Sequence, residues 1–249
     1  MNVKMIVSYD GTRYFGWQKT KTGSSIQETL EKALSLLLKK PTSVEAASRT
    51  DRGVHANGQA VHFFHDKPRD LPRFLYSLNS LLPFDIRILE IEPMPDDFHP
   101  TLQAFSKEYH YLICNHPVQD PKYRLYSWHL HEPLDIEAME QSSAVLLGTH
   151  NFASFTTIES EDTIRTLFAI QITAHPNEPL KICVEGDRFL YKMMRRLVGT
   201  LVAVGKKKLS SQEVSSLLSA PNRAKAGMTA PAHGLFLHKV YYTNTRASL

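Results

Sequence analysis

The apolar residues of this chain change their spacing repeatedly, and that alternation of period limits the fold more than any other feature. Val3, Met5, Val7 and Tyr9 recur at every second position, as in a strand with one buried face. From Ile26 the spacing lengthens. Ile26, Leu30, Ala33, Leu34, Leu37 and Leu38 share one face of a helix that stops before Pro41. Ser25-Ile-Gln-Glu28 has the capping-box pattern at its start. Segments 43–48 and 58–64 read as strands flanking a loop, a shorter helix follows Leu71, and Asp85 to Ile91 reads as another strand. Pro93, Pro95 and Pro100 then punctuate the chain. Beyond them come a strand over 104–114, a helix over 135–147 and strands over 163–174 and 180–185. Helices follow over 189–204 and 210–219, the second opened by a capping box from Ser210 to Glu213, and a strand over 235–242 closes the chain. This order predicts an α+β protein of two halves, 1–100 and 101–249, each a mainly antiparallel sheet packed by helices, with a cleft at their junction.

Composition narrows the class. With 249 residues, 42% hydrophobic and 22% charged, the chain has enough apolar sequence for a substantial core, and this excludes a disordered scaffold. No apolar run approaches the roughly 18–20 residues of a membrane-spanning helix, and the opening residues read as a strand rather than a signal peptide. Cys114 and Cys183 lack metal-site spacing, so a reducing cytoplasm is the expected compartment. The net charge of +4 favours polyanionic partners mildly, and its distribution says more. Cations gather at Arg13 to Lys21, Lys67 to Arg73, Lys192 to Arg196 and Lys206 to Lys208. Tyr14, Phe15, Trp17, Phe189 and Tyr191 stand beside the first and third clusters, a mixture suited to holding phosphates and stacking bases.

Three stretches carry candidate chemistry. In Ala47 to Gln59, Asp51 lies between Arg49 and Arg52, with Gly53 and Gly58 permitting tight turns. Flanking cations favour an ionised carboxylate, which can serve as nucleophile or general base. The plain alternative is a turn aspartate bonded to its own backbone. In the helix from Phe189, an advance of about 100° per residue gathers Leu190, Met193, Met194, Leu197 and Leu201 on one face. Arg195 falls at the edge of that arc, placed to bury its stem and offer its guanidinium to a carboxylate; otherwise it is an ordinary surface pair. Lys192 and Arg196 point away from the arc, towards solvent or phosphate. In Ser106 to Ile113, Tyr109 and Tyr111 share one strand face, where a tyrosine either stacks on a base or simply fills the core. The twelve histidines form no HExxH, and no CxxC or acidic cluster completes a metal site. Walker A, GxGxxG and GxSxG patterns are also missing, so no nucleotide, dinucleotide or metal cofactor is expected.

Six motifs in order resemble one family almost end to end, the bacterial tRNA pseudouridine synthases of the TruA type. They are Tyr9-Asp-Gly-Thr-Arg-Tyr-Phe-Gly-Trp-Gln18, Ser48-Arg-Thr-Asp-Arg-Gly-Val-His-Ala56, and Phe98-His-Pro with Ser106-Lys-Glu-Tyr-His-Tyr-Leu-Ile113. Gly148-Thr-His-Asn-Phe-Ala-Ser-Phe155, the segment Phe189 to Leu201 and Ala226-Gly-Met-Thr-Ala-Pro-Ala-His-Gly-Leu-Phe-Leu237 complete the set. The resemblance implies the pseudouridine synthase fold, two pseudo-symmetric halves with the active-site cleft between them. It implies that Asp51 is the catalytic aspartate, that Arg49 helps extrude the target nucleotide and that Tyr109 stacks on the uracil. Arg195 matches the basic partner of the aspartate, and Leu235 an apolar residue lining the uracil pocket. Arg13, Lys19, Lys192 and Arg196 are further candidate RNA contacts. Three positions depart from the usual pattern: Arg52 in place of a small residue, Thr101 in place of arginine, and Asn151 in place of aspartate.

The implied reaction isomerises uridine to pseudouridine in the anticodon stem-loop of tRNA, at positions 38, 39 and 40, without cofactor or metal. The implied assembly is a cytoplasmic homodimer with no membrane attachment. Whether Asp51 attacks C1′, attacks the uracil ring or abstracts the 2′ proton stays open. The alternatives are a family member with other target uridines, a non-catalytic RNA-binding protein, and a metal-dependent hydrolase acting on RNA, which the missing ligand cluster argues against.

Overall fold

The computed structural model describes residues 1–65, 70–159 and 161–243. The elements begin with β1 (Asn2–Tyr9), α1 (Ile26–Leu38), β2 (Glu45–Ala46), β3 (His55–Phe64), α2 (Leu71–Leu81) and β4 (Ile86–Met94). They continue with β5 (Ser106–Cys114), β6 (Trp128–His129), α3 (Ile136–Ala144), β7 (Gly148–Asn151), β8 (Ile164–Thr173) and β9 (Leu180–Gly186). The chain closes with α4 (Met193–Gly205), α5 (Ser211–Ser219) and β10 (Leu235–Tyr241). It divides into two units, Met1–Phe105 with Phe236–Leu249, and Ser106–Leu235. The change near residue 105 falls close to the prolines. The closing strand rejoins the first unit, whereas a division at 100 leaves it in the second half.

In the first unit β1 lies between β3 and β4, antiparallel to both. β2 adds antiparallel to β3, and β10 pairs with β3 in parallel through Phe236 with His55 and Leu237 with Ala56. The period-two pattern of β1 buries Val3, Met5, Val7 and Tyr9. Helix α1 starts where Ser25 Oγ accepts from the Glu28 amide at 3.2 Å, and it ends at Lys39 in the left-handed conformation (φ 55°), before Pro41. Its buried face is Ile26, Leu30, Ala33, Leu34 and Leu38, and α2 buries Phe74 and Leu78, with Phe74 stacked on Phe63. The expected strand over 43–48 contracts to Glu45–Ala46: the Ala47 amide still donates to the Ala60 carbonyl at 2.8 Å, and from Ser48 on the backbone leaves the ladder for a loop.

In the second unit the antiparallel order is β5, β9, β8, β7, with β6 parallel to β5. Helix α5 carries the reciprocal capping box: Ser210 Oγ accepts from the Glu213 amide, and the Glu213 carboxylate accepts from the Ser210 amide. Helix α4 begins four residues later than its apolar pattern indicates. Lys192 occupies the left-handed region (φ 59°), and Phe189 to Tyr191 form a lead-in outside the helix. Among the described residues, no helix is long and apolar enough to cross a membrane. The architecture is α+β, with mainly antiparallel strand pairing and, among the described residues, one parallel pair within each unit.

Candidate active site

Bonds from the Gln59 side chain and from the distant Tyr9–Gln18 segment hold the loop that carries Asp51. The side chain of Gln59, on β3, replaces part of the ladder: its Nε2 donates to the Ser48 carbonyl at 2.6 Å and its Oε1 accepts from the Ser48 amide at 3.2 Å. Asp51 to Val54 form a tight turn in which the Val54 amide donates to the Asp51 carbonyl at 3.1 Å. Gly53 takes the left-handed position of that turn with φ 77°, where a side chain would be strained. From the other side the Trp17 amide donates to the Thr50 carbonyl at 3.0 Å, and the Tyr9 and Thr50 hydroxyls lie 2.8 Å apart. The Gly11 amide donates to His55 Nδ1 at 3.1 Å, and the His55 ring stacks on Phe236. The first and second motifs are therefore one built object. Tyr9 to Gln18 brace residues 50–55 and leave Asp51 half-buried on a fixed backbone. Arg49 and Arg52 are exposed on either side of it, and the Arg52 guanidinium lies over Phe15 at 4.2 Å from the ring centre.

In the second unit, alternation along β5 buries Lys107, Tyr109, Tyr111 and Ile113 on one face. Tyr109 meets Phe189 edge to face, with ring centres 4.8 Å apart. Tyr111 is wholly buried, and its hydroxyl donates to the Pro231 carbonyl at 2.8 Å; burial holds this phenol far above its usual pKa. Arg195 lies half-buried on the first turns of α4. Its Nε donates to the Ala230 carbonyl at 2.7 Å, and the Ala230 amide donates back to the Arg195 carbonyl at 3.1 Å. That segment comes so close because α4 has glycine at its point of contact. A Cβ on Gly199 would stand 1.8 Å from the Met228 carbonyl oxygen, while the Gly227 amide donates to Thr200 Oγ1 at 2.9 Å. Leu235, at the end of the same motif, is buried.

The remaining cations differ more than their sequence positions indicate. Arg13 is exposed, whereas Lys19 is joined to Glu31 at 2.5 Å. Lys192 is half-buried, with its ammonium 4.9 Å from the centre of the Tyr191 ring. Arg196 is turned inward rather than towards solvent: its Nε donates to the Ser154 carbonyl at 3.2 Å and its Nη2 to the Arg223 carbonyl. Burial, with Arg223 nearby, lowers its pKa. Arg196→Ala strands two carbonyls and is expected to lower stability by about 1–3 kcal/mol, while tRNA affinity stays within about three-fold. Thermal unfolding and filter binding check this pair, and a stable variant with weakened binding would return Arg196 to the RNA surface. Lys206 and Lys207 are paired with Glu132 and Asp135, and residues 67–69 of the second cluster lie outside the described residues.

Two of the unusual positions have a structural account. Asn151 Oδ1 accepts from the Ala153 amide at 3.0 Å and from the Thr163 hydroxyl at 2.8 Å, so an amide oxygen does here what a carboxylate would. Thr101 donates its hydroxyl to the Ala46 carbonyl at 2.8 Å and ties down the end of β2. Lys107 and the bracing groups Thr50, Gly199 and Ala230 are positions that the sequence motifs do not mark by residue type. The available signal for Lys107 was its place two residues before Tyr109, on a strand face otherwise filled by rings and aliphatics.

Comparison with known proteins identifies the family. A family described as tRNA pseudouridine synthase matches residues 5–101 and 143–243. Similar curated proteins include tRNA pseudouridine synthase A 2 of Protochlamydia amoebophila, 48% identical over 97% of this chain and 94% of its own. The tRNA pseudouridine synthase A of Thermoanaerobacter sp. is 41% identical over 97% of this chain and 99% of its own. That of Bacillus pumilus is 40% identical over 98% and 100%. Fold and motifs together define an isomerase of the pseudouridine synthase class. The chain belongs to the tRNA pseudouridine synthase A family.

Proposed function

We propose that this enzyme converts uridine to pseudouridine in the anticodon stem-loop of tRNA, at positions 38, 39 and 40, with Asp51 as the catalytic carboxylate. The observation that carries the reading is the construction of the Asp51 loop. A left-handed glycine, a side chain standing in for ladder bonds and three contacts from Tyr9 to Trp17 fix one carboxylate between two exposed arginines. A carboxylate held on a rigid frame needs little reorganisation in the transition state.

In this account the target leaves the base stack at a cost of a few kcal/mol, least in and beside a hairpin loop. Arg49, exposed next to Asp51, helps extrude the target nucleotide. Tyr109 stacks on the extruded uracil, and Leu235 closes the apolar side of its pocket. Arg195, its backbone and Nε both tied to Ala230, supplies the cation that keeps the catalytic carboxylate ionised. The N1–C1′ bond breaks, the uracil turns, and C5 bonds to C1′. Arg13 and Lys192 add phosphate contacts whose effect weakens with salt.

Mapping pseudouridine in total tRNA from a strain lacking the gene tests the target. Loss confined to positions 38, 39 and 40 is expected, and loss elsewhere would favour a family member with different uridines. We also infer a cytoplasmic homodimer that shares one tRNA; sedimentation at micromolar concentration showing monomer alone would remove the dimer.

A further inference from the structure

Lys107 is a buried cation that forms no ion pair among the described residues. It is only 7% exposed, on the β5 face that also buries Tyr109 and Tyr111. Among the described residues its ammonium has no hydrogen-bond or ion-pair partner. Its cross-strand neighbour on β9 is Gly186, which offers no side chain. The charged groups beside it are Asp187 and Arg188, in the turn after β9, and they oppose each other: the carboxylate favours the ammonium and the guanidinium disfavours it. Asp187 Oδ1 is already engaged, accepting from the Thr166 amide at 3.0 Å and from the Arg188 amide at 2.6 Å. Burial dominates and pushes the Lys107 amine down to about 8. A buried ammonium is costly unless an anion meets it, and the fold keeps this one beside the tyrosine assigned to the substrate base.

We propose that Lys107 is a catalytic residue whose ammonium faces the uracil held on Tyr109 and offsets the negative charge the base acquires when it leaves the ribose. This rests on the reading of Tyr109 given above. Residues two apart on a strand are about 6.6 Å apart, within reach of a lysine side chain, so a base on Tyr109 lies against the Lys107 amine. When N1–C1′ breaks, its electron pair stays with the uracil and spreads over N1, O2 and O4. C1′ is left electron-deficient, with its charge met by the Asp51 carboxylate; after the base turns, an electron pair of the uracil anion forms the C5–C1′ bond, the C5 proton leaves to water and N1 takes up a proton. Lys107 keeps its own proton throughout, and the step balances without any further reactant. A phosphate is the weaker assignment, because the backbone of an RNA runs along the surface, where Arg13 and Arg49 are exposed.

Lys107→Met and Lys107→Arg, assayed by tritium release from C5-labelled uridine in tRNA between pH 6.5 and 9.5, test the assignment. Lys107→Met should lower kcat by about 10²–10³-fold, the loss typical of removing one such charge-stabilising donor, with KM within about three-fold. Its Tm should equal or exceed that of the parent, since a buried cation has gone. The parent kcat should fall above about pH 8 as the ammonium loses its proton. That limb should vanish in Lys107→Met and move upward in Lys107→Arg, which should regain at least ten-fold in rate. An unchanged kcat in Lys107→Met, a loss confined to KM, or equal losses in both variants with an unmoved pH limb would each overturn the proposal. Tyr109→Leu run alongside separates the two readings. Parent-like turnover by Tyr109→Leu would remove the stacking role whatever the lysine variants do, and impaired turnover leaves the lysine results to decide on Lys107 alone.

Discussion

Asp51→Asn is expected to reduce pseudouridine formation by at least about 10⁴-fold, equivalent to roughly 5.4 kcal/mol of transition-state stabilisation. The tRNA dissociation constant should stay within about three-fold. The substitution keeps the shape of the side chain and removes its charge. The turn that holds residue 51 is closed by its carbonyl oxygen, which asparagine retains. Tyr9, Gly11 and Trp17 brace Thr50 and His55 rather than the carboxylate, so the loop should stand and the melting temperature should change little. Tritium release and filter binding on one preparation separate lost chemistry from lost binding. Parallel falls in rate and affinity would instead make Asp51 a folding or docking residue.

Gly199→Ala should have the second largest effect, although residue 199 bears no side chain. Its new methyl would sit 1.8 Å from the Met228 carbonyl oxygen and 2.9 Å from the Met228 carbonyl carbon. Both obstacles are backbone, so neither can rotate away. Overpacking of this kind costs about 1–3 kcal/mol, or several degrees in Tm for a chain of this size. Relief requires residues 227–230 to lift off α4, which breaks the Gly227 bond to Thr200 and both bonds between Ala230 and Arg195. A displacement of about 1 Å at the cation proposed to pair with Asp51 is expected to lower rate by as much as about 10²-fold. Calorimetry and steady-state kinetics check both effects, and a Gly199→Ala protein with parent-like Tm and kcat would contradict this role for the strap.

These cases show which parts of the molecule its sequence reveals. Helices α1 and α5 announce themselves because their caps and apolar spacing are local: Ser25 and Ser210 each cap a helix whose buried face follows, while the Asp70 cap of α2 is evident only in the structure. Helix α4 is read too long at its start because Phe189 to Tyr191 continue the apolar pattern, while the left-handed turn at Lys192 has no marker in composition. The short strands β6 and β7 escape because two to four residues carry no period, and β2 is read too long for the same reason. The return of β10 to β3 is a parallel pairing across most of the chain, fixed only once the sheet exists.

The site divides in the same way. Asp51, Tyr109 and Arg195 stand out by type and motif, and the helical wheel correctly leaves Arg195 half-buried. A wheel cannot foresee that Arg196 finds carbonyls at Ser154 and Arg223, which lie on other segments and draw it inward. Lys107 is hidden in the same way, since lysine in a strand reads as solvent-facing unless its neighbours on the same face are considered.

The most direct test of the central claim follows the fate of single uridines. An unmodified tRNA transcript carrying uridine at positions 38, 39 and 40 is incubated with excess enzyme, and pseudouridine is then mapped nucleotide by nucleotide. The parent protein should convert those positions and no others, and Asp51→Asn should convert none in the same time. Pseudouridine formed by Asp51→Asn at the parent rate would contradict the account.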